Sequence, residues 1–301
     1  MSYLVTGSAG FIGGALVRRL REEGATVITV DKYGSDEYGI HLRDLFRRWG
    51  EIKRDIKFVF HLGANTDTLE HDKKVFEYYN VGYSKSLWYN CMKYNIPMIY
   101  ASSAATYGDG SAGYSDLSHP DKLTPLNEYG HSKNDFDKFI LSHKETNEVP
   151  FWAGLKFFNV YGYSESHKGK MASMVYHGYK QAKETGKIRL FENGHHERDF
   201  VYVEDLIDIM LWLAQKRPKS GLYNIGTGHA RTFNDLALSV FNALNLKPEI
   251  EYFPMPESVK NQYQAFTEAK INKLRAAGYI AQFTNLEEGV KKYIKQLENV
   301  R

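Results

Sequence analysis

Tyr3-Leu4-Val5-Thr6-Gly7-Ser8-Ala9-Gly10-Phe11-Ile12-Gly13 decides the reading of this chain. A short apolar run ends at a glycine, and two more glycines follow at intervals of three. Beyond them, positions 11, 12, 15, 16 and 20 are apolar, which is helical spacing. Strand, glycine turn and helix thus come in immediate succession. Working outward, residues 25–30, 58–61, 97–101 and 152–158 read as further strands. Residues 75–94 and 129–142 read as helices. Strands alternating with helices imply a parallel sheet covered on both faces. The fold class expected is α/β, a doubly wound parallel sheet with a smaller C-terminal substrate lobe.

Boundaries follow from where that alternation fades. Residues 1–157 are expected to form the dinucleotide-binding domain, with segments near 202–228 and 264–276 returning to it. The lobe is expected to be discontinuous over 158–201, 229–263 and 277–301. The segment between Asp31 and Phe58 is short and shows no clear third strand.

Composition removes several classes of function. The 301 residues are 43% apolar and 25% charged, ordinary for a globular protein and unlike a disordered one. With 39 basic and 36 acidic side chains the net charge is +3, too small to argue for nucleic acid or a membrane surface as partner. Cys91 is the single cysteine, so no intrachain disulfide can form. No apolar run approaches the roughly 18 residues of a bilayer span. The first residues lack the pattern of a secretory signal, so a cytoplasmic location is the expectation.

The glycine loop carries the first functional signal. Glycines let the backbone turn tightly and let a pyrophosphate approach the N-terminus of a helix, where unpaired N–H groups favour negative charge. Gly7, Gly10, Phe11, Ile12 and Gly13 are the expected dinucleotide contacts. Asp31 closes the second strand 18 residues after Gly13, placed for ribose hydroxyls. Its carboxylate favours NAD, whereas Lys32 or the arginines at 43, 47 and 48 would suit a 2′-phosphate. The plainer reading of those arginines is a solvated helix face.

A tyrosine and a lysine four residues apart share one helical face, and an ammonium there would lower the phenol pKa. This chain holds four such pairs among 22 tyrosines: Tyr89/Lys93, Tyr129/Lys133, Tyr176/Lys180 and Tyr179/Lys183. Only Tyr129/Lys133 follows a strand ending in hydroxyls, at Ser102-Ser103. Ligands bind at that end of parallel strands. Tyr129, Lys133 and Ser103 are therefore the expected catalytic set. His195-His196 has no third patterned ligand nearby, so no metal site is expected.

The glycine loop, Ser103 and Tyr129-x-x-x-Lys133, in this order, resemble the extended short-chain dehydrogenase/reductases of Rossmann fold. Later motifs narrow the likeness: Tyr100 to Gly108, Phe158 to Gly162, His167-Lys168-Gly169, Met171-Ala172-Ser173, Arg198 to Val203, Tyr263 to Thr267 and Leu274 to Tyr279. Together they resemble the ADP-L-glycero-D-manno-heptose 6-epimerases. The resemblance implies a tightly held nicotinamide cofactor, NADP with NAD as the alternative. It implies a nucleotide-diphosphate heptose as substrate and a homo-oligomer as assembly. It also implies roles by position. Lys168 is the second acid/base, needed because inversion delivers protons on two faces, and it borders the cofactor. Leu62, Gly63, Ala64, Asn80 and Val160 join the cofactor contacts. Asn159, Lys170, His177, Phe191, Arg198 and Tyr263 join Ser103 as substrate contacts, with Arg198 on the diphosphate. Lys170 stands where relatives carry serine; Lys156 and Tyr163 stand where the superfamily commonly has arginine and proline. Two other readings compete: another nucleotide-sugar enzyme such as a 4-epimerase, and a non-catalytic dinucleotide-binding protein. The intact Ser103/Tyr129/Lys133 set argues against the second.

Overall fold

The structure is a computed structural model that describes residues 2–33, 39–68, 70–143, 150–260 and 263–299. The first half runs β1 (Ser2–Thr6), α1 (Phe11–Glu22), β2 (Thr26–Asp31), β3 (Ile40–His41), α2 (Leu45–Ile52), β4 (Ile56–His61), α3 (Lys73–Phe76), α4 (Tyr83–Lys93), β5 (Met98–Ser103), α5 (Glu128–Ser142) and β6 (Trp152–Phe157). The second half runs β7 (Asn159–Tyr161), α6 (Met174–Thr185), β8 (Ile188–Phe191), β9 (Glu197–Arg198), β10 (Phe200–Tyr202), α7 (Val203–Lys216), β11 (Gly221–Ile225), β12 (Arg231–Thr232), α8 (Phe233–Leu244), β13 (Ile250–Phe253), α9 (Glu257–Lys260), α10 (Asn272–Ala276) and α11 (Leu286–Asn299).

Seven parallel strands form the main sheet in the order β11-β6-β5-β4-β1-β2-β3. Strand order reverses between β1 and β4, and in open sheets of this kind the ligand crevice lies at that reversal, outside the carboxyl ends of the strands. Side-chain alternation sorts the strand residues onto two buried faces. Val5, Phe58, Phe60 and Ile99 join α1, α7, α8 and α11 on one face. Leu4, Val59, Met98 and Tyr100 join α2, α4 and α5 on the other. Cys91 lies in this second layer, 1% exposed, with its Sγ 4.0 Å from Met98 Sδ.

Two sequence expectations need amendment. The segment after Asp31 does supply a third strand, β3. It is two residues long, paired in parallel with Val30 and Asp31 at the sheet edge. A run that short leaves no periodicity to read. The long helix expected over 75–94 begins at Lys73, and Glu77–Gly82 is a π-helical turn between α3 and α4. Away from the main sheet, β7 pairs with β10, β9 with β12 and β8 with β13. These small sheets hold the segments that overhang the crevice.

Candidate functional site

Three strand ends meet at the crevice. At the end of β1, Gly7 adopts φ +69° and a Cβ there would fall 2.6 Å from Gly63 N. A Cβ on Gly13 would fall 2.0 Å from the Gly7 carbonyl oxygen. Both positions require glycine, so that α1 can start directly against β1 and the turn after β4. Gly10 caps α1 without a side-chain acceptor for its first N–H groups. Such a helix start, twelve residues long, suits a pyrophosphate. Asp31 accepts from Ala9 N at 3.1 Å and from Tyr33 N at 3.3 Å. Its carboxylate thereby closes the outer side of the loop. These features fit the diphosphate and ribose of a dinucleotide. Lys32 is exposed, its Nζ 4.8 Å from the Tyr33 ring centre. Arg47 and Arg48 pair with Asp44 and Glu51 on an exposed helix face.

A buried chain of hydrogen bonds ties this loop to the neighbouring helices. Gly63 N donates to Thr6 Oγ1, which lies 2.7 Å from His61 Nδ1. His61 Nε2 lies 2.7 Å from Ser84 Oγ, and Ser84 donates to the Asn80 carbonyl. The serine proton is thus committed, so His61 donates from Nε2 and accepts from Thr6 at Nδ1. Burial, and then the Lys133 charge, push His61 down to about 3. Asn80, in the π-helical turn, accepts from Asn65 N and donates to Asn65 O and to Ser132 Oγ. Ser132 donates to the Tyr129 carbonyl. The widened turn delivers Asn80 to both partners. Leu62, Gly63 and Ala64 form the half-buried turn that runs beneath this chain.

Ser103 ends β5, and Asn127 caps α5 by accepting from Gly130 N. That start places Tyr129 at the end of β5 beside Ser103, close enough for the serine to lower the phenol pKa. Lys133, one turn on, donates from Nζ to Ala101 O at 2.8 Å and lies 5.9 Å from the Tyr129 ring centre. Burial lowers Lys133 to about 8, and the Asp137 charge opposes the fall. The expected lowering of the Tyr129 phenol is corrected here. Burial raises it, and Ser103 only partly offsets that. The remaining tyrosine–lysine pairs have other partners: Tyr179 and Lys183 both bind Glu298, Lys180 pairs with Glu184, and Tyr89 packs on Phe139.

Lys168 lies in the helical turn before α6, with Nζ 5.3 Å from the Phe11 ring centre at the start of α1. Burial lowers its pKa, opposed by Glu165. Glu165 is itself buried and holds the loop closed, accepting from Ser173 N and Ser173 Oγ at 2.6 Å. Gly169, at φ +54°, makes the sharp turn after Lys168. Lys170 is exposed, and its carbonyl accepts from His177 Nε2 at 3.3 Å. Val160 pairs with Val201, and the neighbouring Asn159 side chain is exposed.

A second pole gathers the far lobe. Arg198 is 6% exposed, its guanidinium 4.8 Å from the Tyr263 ring centre and 5.7 Å from that of Phe233. Phe191 meets Tyr263 edge-on at 6.0 Å, and His196 does so at 5.0 Å. Nη1 of Arg198 donates to Glu197 O. Among the described residues no carboxylate forms an ion pair with it. A buried, unneutralised guanidinium walled by aromatic rings is suited to an anionic group carrying a flat ring.

Sequence reasoning overlooked Asp137. It is fully buried and accepts from Tyr100 OH, Ser102 Oγ and Lys156 Nζ at 2.8–2.9 Å. The signal was present in the spacing, since Tyr129, Lys133 and Asp137 recur every four residues on one helical face. His61 and Thr6 were likewise passed over. Their 55-residue separation closes only through the pairing of β1 with β4.

Residues 3–226 match the model of the NAD dependent epimerase/dehydratase family. An ADP-L-glycero-D-manno-heptose-6-epimerase of Fusobacterium nucleatum is 44% identical, covering 97% of this chain and 96% of the relative. The chain belongs to that family of nucleotide-sugar epimerases. Another heptose-6-epimerase, from Nitratidesulfovibrio vulgaris, is 42% identical over 98% of this chain and 97% of its own. Among solved structures, the Helicobacter pylori ADP-L-glycero-D-manno-heptose-6-epimerase superposes with a TM-score of 0.84 at 28% identity, over 99% of this chain and 96% of the other. An enzyme of this family is an isomerase that uses a nicotinamide cofactor. Among the described residues, no helix is long and apolar enough to cross a membrane.

Proposed function

We propose that this enzyme inverts C6 of ADP-D-glycero-D-manno-heptose through a transient 6-keto sugar. The observation that carries the reading is that two proton-carrying side chains lie beside the carboxyl ends of parallel strands of one sheet. Tyr129 sits with Ser103 at the end of β5, and Lys168 lies over Phe11 at the start of α1. Because β5, β4 and β1 run parallel and adjacent, both groups face the same sheet edge. A bound nicotinamide supplies the chemistry of taking and returning a hydride at C6. Tyr129 Oη, as the phenolate, takes the C6 hydroxyl proton and becomes the neutral phenol, while Ser103 Oγ holds the same oxygen. Lys133 Nζ orients the nicotinamide ribose and keeps positive charge near the phenol. After the keto sugar turns over, Lys168 Nζ delivers the proton to the oxygen from the other face. Arg198 binds the diphosphate, with Phe191 and Tyr263 against the nucleotide; Asn159, Lys170 and His177 contact the heptose. Gly7, Gly10, Phe11, Ile12, Gly13, Asp31, Leu62 to Ala64, Asn80 and Val160 surround the cofactor.

NAD is the form we favour over the expected NADP. The Asp31 carboxylate faces the ribose side of the loop, where a 2′-phosphate would meet negative charge. Assembly as a homo-oligomer and action in the cytoplasm belong to the same proposal.

The test uses purified protein and ADP-D-glycero-D-manno-heptose with no added cofactor, followed by proton NMR. Approach to an equilibrium of the two C6 epimers is expected. An unchanged spectrum, with or without added NAD or NADP, would overturn the substrate assignment. Acid release of the bound dinucleotide, assayed with enzymes specific for each form, is expected to yield NAD; recovery of NADP would reverse that preference.

A further inference from the structure

Beneath Tyr129 and Lys133 lies a closed set of charges that the reaction as proposed does not use. Asp137 and Lys156 are both 0% exposed and 2.8 Å apart. Lys156 Nζ also donates to Thr106 Oγ1 at 2.7 Å and lies 5.1 Å from the Tyr107 ring centre. Thr106 donates to the Ser103 carbonyl. Tyr100 and Ser102 donate to the two oxygens of Asp137, one each. Those residues flank Ala101, whose carbonyl receives the Lys133 ammonium. Asp137 therefore clamps the strand on both sides of the peptide to which Lys133 is bound, next to Ser103.

The charges do not balance by pairs. Two buried ammoniums, Lys133 and Lys156, share one buried carboxylate. Lys156 contacts it directly, and Lys133 is stabilised by it at longer range. The other groups facing Lys133 are His61 from β4 and Tyr129 from its own helix. His61 is neutral above acid pH, so Asp137 supplies the negative charge of this pocket.

We propose that Asp137 is a positioning residue shared by two lysines, fixing the direction of the Lys133 ammonium and holding it charged, with Lys156 limiting how strongly it does so. This rests on the acid/base reading of Tyr129 and Lys133 and deepens it. The division of one carboxylate between two cations leaves Lys133 less firmly charged than a carboxylate of its own would. A carboxylate given wholly to Lys133 would fix the charge too firmly. None at all would let burial neutralise the amine.

The experiment reads Lys133 directly, without substrate. Protein carrying ¹³Cε-lysine is titrated by NMR, the Lys133 resonance being the one lost in Lys133→Arg. Asp137→Asn is expected to lower the Lys133 midpoint by about one pH unit, and Lys156→Gln to raise it by about one. The double variant is expected to follow Asp137→Asn, since no carboxylate remains to be shared. It also leaves neither charge buried alone, so it remains informative where a single variant does not fold. Shifts of the same sign in both single variants would reduce the pair to packing and overturn the proposal. So would a Lys133 midpoint unmoved in the double variant. Where heptose is turned over, the alkaline limb of kcat is expected to move with the Lys133 midpoint in each variant. Absence of turnover in the wild-type protein would sink the function while leaving the titration a valid test of the triad.

Discussion

Burial holds the Tyr129 phenol above the ordinary range, and the neighbouring Ser103 only partly offsets that. Taking the C6 proton in the proposed reaction therefore requires the phenolate, which the Lys133 ammonium one turn away favours. Tyr129→Phe is expected to cut epimerisation by roughly 100-fold or more, with folding and bound cofactor unchanged. A near-normal rate would remove Tyr129 from the reaction. Lys168 tests the other face. Lys168→Met keeps the aliphatic stem against Phe11 and deletes the proton. Epimerisation should fall by about 100-fold while oxidation at the first face continues, read as reduced cofactor accumulating at 340 nm on addition of substrate. A change confined to KM would make Lys168 a ligand. The Ser103/Tyr129/Lys133 set was legible in the sequence because it rests on local signals, a helical spacing and a strand end. Asp137 shares that spacing. Its partner Lys156 comes from β6, brought close only by strand order, so the ion pair itself was not legible.

At the scale of elements, the glycine loop explains why the first turn of α1 is so close to β1. A methyl on Gly13 has no room beside the Gly7 carbonyl, which is backbone and cannot rotate away. Gly13→Ala is expected to push α1 off the sheet and weaken dinucleotide retention at least about tenfold, measured as cofactor recovered per mole of protein after gel filtration. Full occupancy would show that the helix start is not the diphosphate site. The elements themselves were largely visible, since the amphipathic spacing of α1 and the β-branched run of β2 are strong patterns. The exceptions are instructive. β3 offers only Ile40 and His41, too few for alternation to register. The π-helical turn keeps the apolar spacing of a helix on both sides, so nothing in a 3.6-residue pattern marks it. Only the meeting of Asn80 with Asn65 and Ser132 reveals its purpose.

For the whole molecule, acid sensitivity follows from His61. Its folded value lies near 3, well below the ordinary imidazole value of 6.5. The stability that it lends is fully present above pH 6.5 and is lost as pH falls from there toward 3, because the unfolded chain binds a proton that the native one refuses. The slope contributed is about 1.4 kcal/mol per pH unit within that window. Urea unfolding at pH 7, 6, 5 and 4 is expected to show it, and His61→Gln is expected to flatten the dependence by that amount. An identical slope in the variant would mean that His61 does not stay neutral in the fold.

The single thiol of the chain lies on the buried face of α4, against Met98 of β5, with burial holding it well above the usual thiol range. It therefore serves as a native clock for the opening of this layer. Under conditions where a free thiol reacts with a disulfide reagent in seconds, labelling of Cys91 can proceed only as fast as the layer between β5 and α4 comes apart. On the proposed contact of the dinucleotide with Asn80, on the same helical run, bound cofactor should lengthen that labelling time. The gain in half-life, compared between NAD and NADP, would rank the two cofactors with no substituted residue and no substrate.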